Sequence, residues 1–549
     1  MTTTTPARRI PRLYARLSLA LGVAVAASAL LAPQRVDAFC GFYVSGADAK
    51  LFNNATNVVL MRDGTRTVLS MQNNYQGPPQ DFAMVVPVPV VLQKPDVKVL
   101  PREIFDRVDQ LAAPRLVEYW EQDPCWQEPE WEDDMAMAPM AADEEAGGAM
   151  RESARDLGVT IEAQFEVGEY EIVILSAKDS MGLDTWLRTN RYKIPAGAEE
   201  VLRPYVHSGM KFFVAKVNSQ KVRFVGEQAQ LSPLRFHYDS KSFSLPVRLG
   251  LLNSGGAQDL IVHILSREVR YQVANYRNVA IPTNIEVADA TRERFGEFYA
   301  ALFDRVLQLN PGSVVTEYSW AAGSCDPCPI DPLSLRELAT LGADVLPTYE
   351  RALAGRVPSE LEWQVPGEFV LTRLHARYSR ESLGEDLVFQ AAVPITGGRE
   401  VQGGDGHVER GATEASFNNF QARYIIRHRW QGPVECENPV YGRWGGPPAG
   451  VSHGGGPAVA RDLAFVARDA SLENFVAEEV PGIATPNAGV LAKKTVTPPT
   501  PGRRGGEPSP FAGGGCASCS QGDVSTGTQG LAIGLVCLGL VAWRRRRDR

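Results

Sequence analysis

Cysteine and histidine are both scarce in this chain: its 549 residues include 8 cysteines and 7 histidines. Neither the H-E-x-x-H spelling nor a P-loop occurs, so those zinc-hydrolase and nucleotide-binding templates are excluded as motifs. Positive charge is not in excess either. Lys and Arg number 56 against 64 Asp and Glu, a formal net charge of −8. A nucleic-acid partner favours a basic face, so none is expected. A closed zinc site needs four ligands, and a second Cys-x-x-Cys occurs only at the extreme C-terminus, so no metal and no cofactor is expected. Residues 121–145 carry ten carboxylates and no basic side chain. Calcium-loop spacing and its glycine turn are missing there. A solvated acidic insertion over residues 126–158 is expected instead.

What is present begins with two apolar ends. The composition, 44% hydrophobic and 22% charged, suits two or three globular domains. Arg8, Arg9, Arg12 and Arg16 precede an apolar run over residues 17–31, and Val36-Asp37-Ala38 offers small residues for cleavage. This predicts a signal peptide over residues 1–38, Sec export and a mature start at Phe39. At the other end, Gly515, Cys516 and Cys519 lead to an apolar run over residues 530–543, closed by four arginines from Arg544 to Arg547. As a helix that run reaches only ~21 Å at about 1.5 Å per residue. A hydrocarbon core is roughly 30 Å thick, so a transmembrane helix over residues 528–549 needs its polar flank to help. The arginines belong on the cytoplasmic side.

This order of parts resembles the MYXO-CTERM tripartite sorting signal: Gly-Cys motif, short hydrophobic helix, arginine tail. The resemblance implies cleavage near Cys516 by a sorting protease and transfer to the cell surface. The alternative is a retained single-span anchor. Either way, export machinery and the membrane are the expected partners, and the cell envelope or surface the expected location.

Cys537 lies in the apolar run. Five cysteines then remain for the exported part: Cys40, Cys125, Cys325, Cys328 and Cys436. An exported chain permits disulfides. Five is odd, so one thiol is free or pairs elsewhere.

In between, the pattern predicts a β-rich α+β fold. Asp63-Gly64 sits between two apolar runs as a tight hairpin turn. A third strand runs into Pro87 and Pro89, which should end its pairing. Helices are expected over residues 101–111, 183–189, 198–207 (interrupted near Pro204), 291–309 and 332–341. Two stretches share an order of helix, strand and cysteine turn. Phe105-Asp106-Arg107-Val108 answers Phe303-Asp304-Arg305-Val306, Glu118-Tyr119 answers Glu317-Tyr318, and Asp123-Pro124-Cys125 answers Asp326-Pro327-Cys328. An internal duplication explains this order, with halves over 39–280 and 281–445. A Gly/Pro-rich region over 446–527 follows, read as a flexible stalk ahead of the sorting motif.

The words FCGFYV, LFNNATNVVLMRDG and NYQGPPQDFAMVVPVP resemble the bacterial family DUF2330, as do VILSAKDSMGLDTWLRTNRYKIP and LPVRLGLLNSGGAQDLIVHIL. The resemblance covers most of residues 39 to about 445 and implies no activity.

One constellation invites a chemical reading. Cys325 and Cys328, placed between a strand and a helix, superficially resemble the thioredoxin-like order, and a helix N-terminus would stabilise a thiolate. Thiol–disulfide exchange at this pair is therefore the competing function. The leading one is a non-enzymatic surface protein, structural or ligand-binding. Glu118 and Glu317 are expected as strand-end charges facing solvent, and His237 and His263 as ordinary strand histidines.

Overall fold

The hairpin at Asp63-Gly64 is present: β1 (Ala55–Asp63) and β2 (Arg66–Met71) pair from Asp63↔Arg66 to Val58↔Met71, with Gly64 at φ +57°. The computed structural model describes residues 42–44, 55–72, 83–125 and 158–477. Short interruptions fall within 191–196, 219, 226–227, 254–256, 350–360, 380–383, 401–407, 449–456 and 461–465. The expected signal peptide, Cys40, nearly all of the acidic insertion, Gly515, Cys516, Cys519 and the C-terminal helix lie outside the described residues. Among the described residues no helix is long and apolar enough to cross a membrane.

The fold is α+β and β-rich. Its centre is a mixed sheet in which β1 runs parallel to β4 (Gln258–Arg267). Antiparallel to β4 lies β6 (Phe369–Tyr378), and next comes β5 (Ser313–Ala321). The apolar runs Val58-Val59-Leu60-Met61 and Leu260-Ile261-Val262 are those of strands buried on both faces. Val58, Leu60, Leu260 and Val262 enter one core, whereas Val59 and Met61 enter another beneath the helices. The helix-covered face has two parts. α1 (Glu103–Ala112) buries Ile104, Phe105, Val108, Leu111 and Ala112 over one, a helical stripe. α2 (Phe295–Leu309) buries Phe295, Phe298, Tyr299, Leu302, Phe303 and Val306 over the other.

A smaller sheet pairs β3 (Arg115–Glu121) in parallel with β8 (Arg423–His428), which follows directly on β7 (Asn419–Gln421), a partner of β5. Strands from both expected halves therefore share the central sheet. The two helix–strand–cysteine segments exist as α1–β3–Cys125 and α2–β5–Cys328, with β3 and β5 in different sheets.

Three expectations need correction. Pro87 does not end pairing: Ala83–Val88 stays in register with Lys211–Val217 through Pro87↔Phe212 and Val88↔Lys211. Among the described residues its other neighbour, Phe42–Val44, pairs with Ala83–Val85 and not with Pro87, so no described ladder bond on that side needs the missing N–H. The helix Ala198–His207 runs through Pro204 without interruption. The folded part also reaches beyond residue 445. Ala458–Val459 pairs with β3, and Ala460, Leu463, Leu472 and Phe475 fill the core under α2.

Candidate functional site

Charged groups meet in a buried row between the two helix-covered cores. Asp259 and His263 come from β4, and Arg373, His375 and Arg377 from alternate positions of β6. Glu317 comes from β5, and its place follows from a register shift. Thr316 faces Leu374 and Tyr318 faces Arg373, leaving Glu317 as an extra residue in the ladder. Such a bulge re-aims a side chain. Here it turns Glu317 inward, and the side chain is fully buried. The expectation of a solvent-facing strand-end charge fails for this reason. Glu118 is also covered, bound to His428 at 2.8 Å and Arg292 at 3.3 Å.

Glu317 is the hub. Its Oε2 accepts from Arg373 Nε at 2.6 Å, and its Oε1 accepts from Tyr299 Oη at 2.6 Å and His375 Nδ1 at 2.7 Å. The other ring nitrogen, His375 Nε2, lies 3.1 Å from Asp259 Oδ1. Both acceptors are carboxylates, so the ring must carry both protons. Arg373 Nη1 reaches Asp109 Oδ1 on α1 at 2.6 Å. Arg468 bridges Asp259 at 2.8 Å and Asp304 at 2.5 Å. Arg377 lies 3.6 Å from Asp259 and 3.4 Å from Asp304. Four carboxylates (Asp109, Asp259, Asp304, Glu317) thus face four cations (Arg373, His375, Arg377, Arg468), and the charges balance.

Burial alone would raise Glu317, but His375 and Arg373 outweigh it and hold its carboxyl at about 2. Asp259 is likewise raised by burial yet ends below its ordinary value beside His375, Arg468 and Arg377. For His375, burial opposes the imidazolium, and Glu317 and Asp259 nevertheless raise it. His263 goes the other way: burial, reinforced by Arg373, pushes it well down, and its Nδ1 meets Asn57 Oδ1 at 3.0 Å.

A Glu–His–Asp relay is the arrangement a catalytic base needs, but the histidine of this one is closed off. His375 is completely buried, and Phe303 stacks on its ring at 3.8 Å between centroids. The row's chemistry is structural, and it predicts acid sensitivity. Unfolded carboxyls titrate near about 4 and an unfolded imidazole near about 6.5. Glu317 and Asp259 contribute stability that is complete above the carboxyl value and is lost as pH falls towards their lower folded values. His263, kept neutral in the fold, adds loss as pH falls below the imidazole value. His375 has the opposite sense: its contribution is complete below about 6.5 and is lost as pH rises through its folded value. Urea denaturation should therefore give an unfolding free energy that drops most steeply below about pH 4. A flat profile through that range would contradict this reading.

The Cys325–Cys328 loop lies on the surface and is bonded as a disulfide, and Cys125 is bonded to Cys436. Four of the five cysteines expected in the exported part are thereby paired, and Cys40 is outside the described residues. Cys328 is exposed and Cys325 half-buried. The expected helix starts later than residue 332, as α3 (Leu335–Leu341), capped by Ser334 and Glu337. A helix dipole acts only over its first turn, so α3 does not support a thiolate at Cys328. Another group fastens the loop. Arg115, fully buried at the start of β3, donates to Pro327 O at 2.8 Å and to Leu111 O at 2.6 Å, and Gln421 donates to Asp326 O at 2.6 Å. Beside Arg115 in register, Arg423 holds Asn284 at 2.7 Å and the Tyr119 hydroxyl.

Among the described residues no group of three or more His, Cys, Asp or Glu could hold a metal ion. An open cavity of about 330 Å³ is lined by Lys98, Arg235 and Asp344 among others. Two of its cations are already engaged, since Asp344 bonds Lys98 at 2.8 Å and Arg235 at 2.9 Å, and a third, Arg336, lines the same cavity. The sequence also holds one Gly-x-Ser-x-Gly spelling, Gly450-Val451-Ser452-His453-Gly454. A nucleophile elbow needs a strand before it and a helix after. Here the next described element is the two-residue strand Ala458–Val459, and the string itself is outside the described residues.

The family model described as "Uncharacterized protein conserved in bacteria (DUF2330)" matches residues 34–390. No curated protein and no solved structure matches the chain.

Proposed function

The chain belongs to the DUF2330 family, and from that premise, which brings no chemistry with it, we propose that it is a non-enzymatic, exported envelope protein. Its ectodomain serves as a structural or ligand-binding scaffold. Residues 1–38 direct export, and residues 528–549 anchor the chain until a sorting protease cuts near Cys516. The observation that carries this reading is the Cys125–Cys436 bridge, which joins positions 311 residues apart. Such a bond persists in an oxidising compartment, not in a reducing cytosol. The complete burial of Glu317, Arg373 and His375 supports the non-enzymatic part. We read α1–β3–Cys125 and α2–β5–Cys328 as a duplicated unit. The competing function, thiol–disulfide exchange, rests on a different observation, the surface position of Cys325–Cys328, and would add to the scaffold role.

The test is the C-terminus of the protein labelled on intact cells with a membrane-impermeant reagent. Mass spectrometry should find a chain ending near Cys516. Surface-labelled protein that still ends at Arg549 would remove the cleavage claim and leave a retained anchor.

A further inference from the structure

The two disulfides close chain segments of very different length, and, on the premise that the fold is extracytoplasmic, we infer that only one of them is a fixed staple: Cys325–Cys328 is a thiol-exchange site for an extracytoplasmic dithiol, with Cys328 as the sulfur that is attacked. Cys125–Cys436 joins the segments that follow the paired strands β3 and β8, across a sequence separation of 311. Cys325–Cys328 spans a separation of 3, so it constrains the unfolded chain far less. Its role in holding the fold is small for a second reason. The loop's backbone is fastened independently by Arg115 at Pro327 and by Gln421 at Asp326, while Trp320 Nε1 donates to Ser324 Oγ at 3.2 Å. The loop therefore keeps its place whether or not the sulfurs are joined.

Access selects the sulfur. Exchange depends on which sulfur an incoming thiolate can approach. Cys328 is exposed, whereas Cys325 packs at the edge of the core beneath α1 and α3. The incoming thiolate bonds to Cys328 Sγ, the Cys325–Cys328 bond breaks, and Cys325 leaves as a thiolate that takes up a proton. The partner's second thiolate then attacks its own sulfur in the mixed disulfide and releases Cys328. The partner dithiol is oxidised to a disulfide, the loop is reduced to two thiols, and the two protons end on Cys325 and Cys328. Run backwards, reduced Cys328 is the nucleophile.

The full-length protein is incubated in mixtures of reduced and oxidised dithiothreitol, quenched by alkylation and mapped peptide by peptide, with near-ultraviolet circular dichroism read in parallel. Cys325 and Cys328 should become alkylated while Cys125–Cys436 stays intact and the native spectrum persists. In Cys325→Ser, Cys328 should form a mixed disulfide with glutathione disulfide at least about tenfold faster than Cys325 does in Cys328→Ser, because access governs the rate. Reduction of both bridges together, or only with loss of the native spectrum, would overturn the inference. So would equal rates in the two variants.

Discussion

Replacing Glu317 by alanine is expected to destabilise the fold by about 3–5 kcal/mol, the range seen when one partner of a buried ion pair is removed. The loss is large because the groups left behind cannot turn to water. Arg373 and His375 are completely buried, and Tyr299 would lose the acceptor of its hydroxyl. Arg373 keeps Asp109 and His375 keeps Asp259, which limits the damage without abolishing it. The control is Glu166→Ala, whose ion pair with Lys221 is exposed on both sides; no measurable change is expected there. Equilibrium denaturation of both variants separates a buried hub from an ordinary surface charge. A Glu317→Ala protein as stable as the parent would mean that the row relaxes or admits solvent.

The second large effect belongs to Cys125→Ser. Closing so long a loop places this bridge at the upper end of disulfide stabilisation, about 2–5 kcal/mol. The bridge also ties together the continuations of β3 and β8, whose parallel ladder ends at Trp120↔His428. Cys325→Ser should cost much less, since its loop is short and pinned by Arg115 and Gln421. Denaturation midpoints under oxidising conditions give the comparison directly. Equal losses in the two variants would contradict the division of labour between the bridges.

Local signals in the sequence were dependable where chemistry is local. Asp63-Gly64 marked a hairpin because only a few residues adopt that turn, and the apolar periodicity of residues 103–112 marked α1. The charged row was illegible for a physical reason. Arg373, His375 and Arg377 alternate along β6 as the solvent-facing residues of a half-exposed strand would. That α1 and α2 cover this face depends on partners far away in the chain. Glu317 was harder still, since its inward aim comes from one extra residue in the ladder between β5 and β6. The cysteines were recognised as candidates for pairing, but that Cys125 meets Cys436 follows from β3 and β8 lying side by side. Arg115, which fastens the Cys325–Cys328 loop, carried no motif at all. The packing of Arg468 and Phe475 was hidden behind a Gly/Pro-rich composition that suggested a stalk.

The central claim is that this scaffold matures and works beyond the cytoplasm as a cross-linked fold. Its most direct test is to fractionate cells under alkylating conditions and map the termini and cysteines of the native protein. The account predicts a chain beginning at Phe39, recovered with the envelope, with Cys125 joined to Cys436. A cytosolic chain that keeps Met1 and carries both of those thiols free would contradict it.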